Sequence, residues 1–318
     1  MLSVVREQDH IVRFLERVRD GKFTSPLLIV GPEGTGRRTA VFNLALEMFC
    51  SGTKDETCSC FDCTQLRKGV HPDYYELKAG EKDIGVEGIR DLIEMSYSSP
   101  SVAPVRVFLI DGADRMTTPA ANALLKTLEE PPSQARFILL AEAQEGILPT
   151  IKSRCGVLNT RTLSEGYILS KIQQFEPDPT KALVLTRMGE GSVGRSLQLW
   201  GSGRLALRDK SFALLRASVT QDVATIFSLV DTLEKELPLS LRFADQLIHD
   251  LLMTLVAPDK LINVDLTAEL HALRQKTSAS VWQKLRADLR QTQLTFQRTK
   301  INLPFHVKTL LLEAFSGG

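Results

Sequence analysis

Three glycines, Gly31, Gly34 and Gly36, followed directly by Arg37, Arg38 and Thr39, carry the spacing of a phosphate-binding loop. A working loop of this kind needs glycines so that main-chain N–H groups can turn inward around phosphate oxygens. It also needs a lysine to reach the β- and γ-phosphates and a following Ser/Thr hydroxyl on Mg²⁺. The glycines are present, but the next two positions are Arg37 and Arg38. Arginine is longer, planar and forked, and does not replace the compact ammonium of lysine. Arg38 offers a metal no hydroxyl, and Thr39 comes one residue late, turned by about 100° on a helix. Gly31, Gly34, Gly36, Arg37, Arg38 and Thr39 are therefore read as a degenerate cradle, non-functional in hydrolysis.

A second group repeats the loss. The apolar run Val105–Ile110 ends at Asp111, a candidate Mg²⁺ contact, and an acidic residue beside that Asp is needed to orient an attacking water. That place is Gly112, which cannot polarise water. Asp111 at a strand end is equally an ordinary turn or capping residue.

Cys50, Cys58, Cys60 and Cys63 form a third group, spaced C-x7-C-x-C-x2-C. Four thiolates in one short excursion satisfy tetrahedral Zn²⁺, and a closed four-thiolate site is structural because no position remains for water. Reduced cysteines without metal are the plainer alternative. Five cysteines, an odd number, do not make a secreted disulfide framework.

Three elements must position these groups. Ser25–Val30, Val105–Ile110 and Arg136–Ala141 read as buried strands, and helices lie between them. In the helix Pro119–Glu130, Ala121, Leu124, Leu125 and Leu128 fall on one face, and Pro131-Pro132 ends it. Strands alternating with helices predict an α/β fold with a parallel sheet, its chemistry at the carboxyl ends where Gly31 and Asp111 sit. After Thr162 the strand signal disappears. Helices are expected over Ser164–Phe175, Pro179–Met188 and Val193–Trp200, then Gly201-Ser202-Gly203 as a linker, then a C-terminal helical bundle. The expected domains are residues 1–162 with the cysteine insertion at 50–63, a small helical domain at 163–203, and a helical domain at 204–318.

The chain has 318 residues, 43% hydrophobic and 24% charged, the balance of a folded globular protein. Lys+Arg 39 against Asp+Glu 38 gives a net charge of +1, which leaves no bulk electrostatic footprint for nucleic acid or membrane. A protein that binds DNA on its own is disfavoured on that ground. With no signal-like start and no apolar stretch of membrane-spanning length, the expectation is a cytoplasmic protein with no membrane contact.

The segments Ala120–Pro132 and Leu148–Cys155, the latter ending in Ser153-Arg154-Cys155, together closely resemble the AAA+ subunits of bacterial sliding-clamp loaders. With the Gly31 loop, the cysteine cluster and Gly191–Leu197, the likeness covers about the first two thirds of the chain. It implies an AAA+ P-loop module with a small helical lid, where Arg195 matches the lid's sensor arginine approximately, followed by an all-α collar. Within that family the degenerate loop and Gly112 are similar to the non-hydrolysing, stator-like branch rather than to the ATP-hydrolysing gamma/tau subunit, which is the alternative reading. The implied partners are the gamma/tau and delta subunits and, through the complex, the beta sliding clamp and primed DNA. The resemblance also implies a role for Arg154 as an arginine finger, reaching the γ-phosphate of ATP held by a neighbouring subunit while no ATP is hydrolysed in cis. A guanidinium supplied in trans neutralises charge on the transferring phosphoryl group. Two departures stand out. The polar sensor at the end of the third strand is replaced by Ala141-Glu142-Ala143. The family's zinc module has a C-x2-C pair where this sequence has Cys58-Ser59-Cys60, and His71 is a possible substitute ligand.

Overall fold

A computed structural model describes residues 6–55, 57–80, 82–298 and 301–315 of the chain. It divides into two compact units, Met1–Ser164 and Glu165–Gly318. The first runs α1 (Asp9–Arg19), β1 (Leu27–Val30), α2 (Arg37–Phe49), α3 (Phe61–Lys68), β2 (Tyr74–Lys78), α4 (Val86–Ser96), β3 (Arg106–Asp111), α5 (Thr118–Glu129), β4 (Ala135–Ala141), α6 (Pro149–Lys152) and β5 (Gly156–Asn159).

The five strands form one sheet in the order β2-β3-β4-β1-β5, and every pair is parallel. Successive side chains on a strand point to opposite faces, so a sheet covered on both sides needs apolar residues at every position of its central strands. In β1, Leu27 and Ile29 pack with α1, α2 and α3, while Leu28 and Val30 pack with α4, α5 and α6. Val107 and Leu109 of β3 join the first side, Phe108 and Ile110 the second, and β4 divides in the same way. The sheet thus separates two cores and fixes the three central strand ends, Val30, Asp111 and Ala141, side by side.

Helix α5 begins where Thr117 accepts a hydrogen bond from the Ala120 N–H, with Pro119 in the first turn. It buries Ala120, Ala121, Leu124, Thr127 and Leu128 against the second core, and its last residue is Glu129.

Among the described residues the second unit contains helices and no strand: α7 (Glu165–Ile172), α8 (Pro179–Met188), α9 (Val193–Gly201), α10 (Leu205–Val219), α11 (Val223–Thr232), α12 (Leu237–Met253), α13 (Thr267–Arg274), α14 (Ala279–Arg298) and α15 (Leu303–Glu313). Gly201-Ser202-Gly203 is not a free linker. Its main-chain N–H groups bond back to Gln198 and Trp200, closing a tight turn between α9 and α10. Arg187 of α8 pairs with Glu165 and also donates to the Leu261 carbonyl, tying the first three helices to the later ones. In α15, Val307 and Leu311 are buried four residues apart, so this helix contributes a core face to its own chain while Phe305 lies exposed. No described helix is long and apolar enough to cross a membrane.

Candidate functional site

The glycine loop follows β1 and feeds α2, with Gly31 at φ +148°, Gly34 at +75° and Gly36 at +95°. A side chain at Gly31 would collide with the Thr160 hydroxyl, so glycine is required there by space as well as by backbone angle. Helix α2 starts at Arg37, directly after the loop. Inside the loop lies the side chain of Thr35, which is buried; its hydroxyl donates to the Pro32 carbonyl at 2.8 Å and lies 3.1 Å from the Thr160 hydroxyl.

The two arginines part company. Arg37 is buried, and its Nη1 donates to the main-chain carbonyl of Ala141 at the end of β4. Burial lowers the pKa of its guanidinium, opposed by the attraction of Asp111, Glu142, Asp114 and Glu33. The charge that a lysine would offer to phosphate is thus committed to the protein's own main chain across the strand ends. Arg38 points elsewhere and pairs with Glu76 of β2 at 2.8 Å. Thr39 is exposed, and its carbonyl accepts from the Asn43 amide.

Asp111 ends β3, and its carbonyl accepts from the Ala79 N–H. Gly112 has φ +94°, and a Cβ there would stand 2.8 Å from the Ala79 Cβ. The acidic residue that hydrolysis needs is therefore absent and also has no room on this backbone. The nearby Asp114 is engaged, accepting from the Glu142 N–H at 3.0 Å. Ala141 has no polar side chain, yet its carbonyl takes both the Gly31 N–H, at 3.0 Å, and Arg37. That main-chain role was not legible in the residue type.

The cysteines converge. The sulfurs of Cys50, Cys58, Cys60 and Cys63 all lie within 4.8 Å of one another, with Cys50 to Cys58 at 3.5 Å and Cys50 to Cys60 at 3.9 Å. A tetrahedron with metal–sulfur bonds near 2.3 Å has sulfur–sulfur edges of about 3.8 Å. The four side chains fit a metal ion, contracted Cys58-Ser59-Cys60 spacing included. Hydrogen bonds from the Cys60 main chain and the Thr53 hydroxyl bring the Cys58 thiol down to about 6, and the Cys63 main chain lowers Cys60. Burial pushes Cys63 up. His71 is not part of this set. Its Nε2 lies 3.3 Å from Asp62, its Nδ1 accepts from the Asp73 N–H, and its ring stacks on Phe49.

Sequence reasoning missed Asp73. Fully buried, it accepts from the N–H groups of Ser101, Val102 and Ala103 and from Arg106 Nε at 3.0 Å. Burial works against its charge, but these donors outweigh it and hold its carboxyl below the usual range. The charged knot fastens the segment that leads into β3.

Arg154 lies just after α6, about a third exposed. Its Nε and Nη2 both donate to Glu129 Oε2, at 3.3 and 3.0 Å, and its Nη1 donates to the Thr150 carbonyl at 3.0 Å. Neighbouring Cys155 is half-buried, and burial raises its thiol to about 12, which leaves it inert.

A family model described as DNA polymerase III, delta subunit, matches residues 7–164. The chain belongs to the clamp-loader family. This clamp-loader chain is 39% identical over 141 residues to DNA polymerase III subunit delta' of Haemophilus influenzae, covering 44% of this chain and 43% of that one. It is 28% identical over 275 residues to subunit delta' of Escherichia coli, covering 85% and 82%. A third relative, DNA polymerase III subunit gamma of Buchnera aphidicola, is 36% identical over 157 residues, covering 49% and 43%. The chain thus spans less than half of the first and third relatives and most of the second. The crystal structure of a gamma subunit-related protein from Thermotoga maritima superposes with a TM-score of 0.51 at 17% identity, covering 95% of this chain and 98% of that one. At that identity the likeness speaks for the fold.

Proposed function

We propose that this clamp-loader chain is a delta-prime-like, non-hydrolysing subunit of the DNA polymerase III loader, built as an AAA+ module that carries no working ATP site. The observation that carries the reading is Arg37. Its buried guanidinium is bound to the Ala141 carbonyl where a lysine would meet phosphate, and the left-handed backbone at Gly112, close against Ala79, disfavours the water-orienting acid there. The similarity to a gamma subunit favours a second reading, a gamma/tau-type ATPase. Arg37, Arg38 and Gly112 weigh against it.

In this account residues 163–203 act as the lid and residues 204–318 as the collar that joins the chain to gamma/tau and delta subunits. The beta clamp and primed DNA are met through the complex, in the cytoplasm. Cys50, Cys58, Cys60 and Cys63 hold a structural Zn²⁺, which staples the excursion between α2 and α3 and supplies no chemistry.

Arg154 is the part of the chain that enters the ATP chemistry, at a neighbour's site. Its guanidinium is always charged, and an N–H at the far end of its fork can donate to an oxygen of a phosphoryl group. The test is a reconstituted loader carrying Arg154→Ala. Clamp-stimulated ATP hydrolysis falls while assembly by gel filtration is intact, whereas an unchanged rate removes Arg154 from the mechanism.

A further inference from the structure

We propose that Glu129 is a positioning residue for Arg154, fixing the guanidinium on the surface of the isolated chain in the orientation a neighbour's phosphate requires. The inference rests on the reading of Arg154 as a finger supplied in trans.

Three observations lead to it. Glu129 grips one edge only: Nε and Nη2 both donate to its Oε2, while Nη1 goes to the Thr150 carbonyl at 3.0 Å and lies 3.4 Å from the Ser153 hydroxyl. A guanidinium has five N–H donors in a rigid fork. Four contacts on Nε, one Nη2 hydrogen and Nη1 leave a further Nη2 hydrogen for an incoming oxygen. Glu129 can therefore keep its grip on the Nε edge while the far end of the fork meets phosphate.

The second observation is where Glu129 sits. It is the last residue of α5, where the helix dipole is negative and a carboxylate is disfavoured. A local rule broken at an exposed position points to a task beyond stability. Nothing in the packing of α5 calls for the charge, because the helix is held by Ala120, Leu124 and Leu128 on its opposite, buried face.

The third is the rigidity behind the pair. α5 is fixed at its start by the Thr117 cap and along its length by the core, and α6 packs against that same core through Ile151. Both partners of an ion pair spanning 25 residues are thus delivered by anchored elements. An arginine side chain loses much rotamer freedom when it is held still. With Glu129 in place, that ordering precedes the arrival of the neighbour, so the effect falls on the rate of the chemical step rather than on nucleotide affinity.

The experiment is a double-mutant cycle in the reconstituted loader, with Glu129→Gln, which keeps shape and removes charge, and Arg154→Ala. Exposed pairs of this kind predict a loss of about threefold in kcat for clamp-stimulated ATP hydrolysis by Glu129→Gln, at unchanged KM for ATP. On the Arg154→Ala background the same substitution has no further effect. If Glu129→Gln leaves kcat unchanged while Arg154→Ala lowers it, the positioning role is wrong and the finger stands. If Glu129→Gln slows the Arg154→Ala loader equally, Glu129 acts by another route and the proposal falls. If Arg154→Ala has no effect, the finger itself falls, and the proposal with it.

Discussion

The buried guanidinium of Arg37 donates to the main-chain carbonyl of Ala141, joining the start of α2 to the end of β4. The same carbonyl accepts from the Gly31 N–H. The glycine loop is thereby braced by the protein's own atoms: Arg37 is fixed to the strand ends, and Thr35 fills the inside of the turn with its hydroxyl on Pro32.

Restoring the residue types of a working loop tests how much of the loss lies there. In the double variant Arg37→Lys, Arg38→Thr, Mg²⁺-dependent ATP binding measured by calorimetry strengthens by at least about tenfold, since a point charge and a metal hydroxyl return together. Turnover stays absent because Gly112 and Ala141–Ala143 are untouched. Unaltered affinity would show that the obstacle is elsewhere in the loop.

Gly112→Glu replaces the missing acid but forces a side chain onto φ +94° and against Ala79. We expect a loss of about 2 kcal/mol in urea denaturation, from backbone strain and crowding combined. A variant as stable as the parent would mean that this turn relaxes freely.

Asp73 and Arg106 form a buried pair, and removing one partner strands the other. Asp73→Asn is expected to cost about 3–5 kcal/mol at pH 7. The direction of the pH dependence follows from the lowered carboxyl. Its contribution is fully present above the unfolded value, near about 4, and is lost as pH falls through the lower folded value. Urea midpoints of the parent between pH 7 and pH 3 therefore fall more steeply than those of Asp73→Asn; parallel curves would remove Asp73 from the acid response.

For the cysteine cluster, protein purified without chelator carries about one equivalent of zinc by elemental analysis, and Cys63→Ser carries less and melts lower. Protein that is folded, metal-free and unaffected by added zinc would reject the site.

Strands β1, β3 and β4 were legible because strands buried on both faces are uninterrupted apolar runs. The edge strands were not. Tyr74-Tyr75-Glu76-Leu77-Lys78 is half-buried and mixed in character, and Gly156-Val157-Leu158-Asn159 is short, with exposed and part-buried residues alternating. Neither carries a periodic signal strong enough to separate it from a loop. The same limit holds at the site. Residue types at fixed spacing showed that Arg37, Arg38 and Gly112 depart from the residues a working ATP site uses, and clustering drew attention to the four cysteines. What Arg37 does instead depends on Ala141, more than a hundred residues away, and Glu129 meets Arg154 only through the packing of α5 and α6. Asp73 sat in the tetrapeptide Val70-His71-Pro72-Asp73, where the histidine took the attention and the aspartate takes the load.

The central claim is that a chain built like an ATPase does no hydrolysis of its own. Steady-state assay of the purified chain alone, with ATP and Mg²⁺ and with Asp111→Asn as a control for contamination, tests it most directly. The account predicts no magnesium-dependent phosphate release above the control. Turnover by the parent chain that Asp111→Asn abolishes would contradict it.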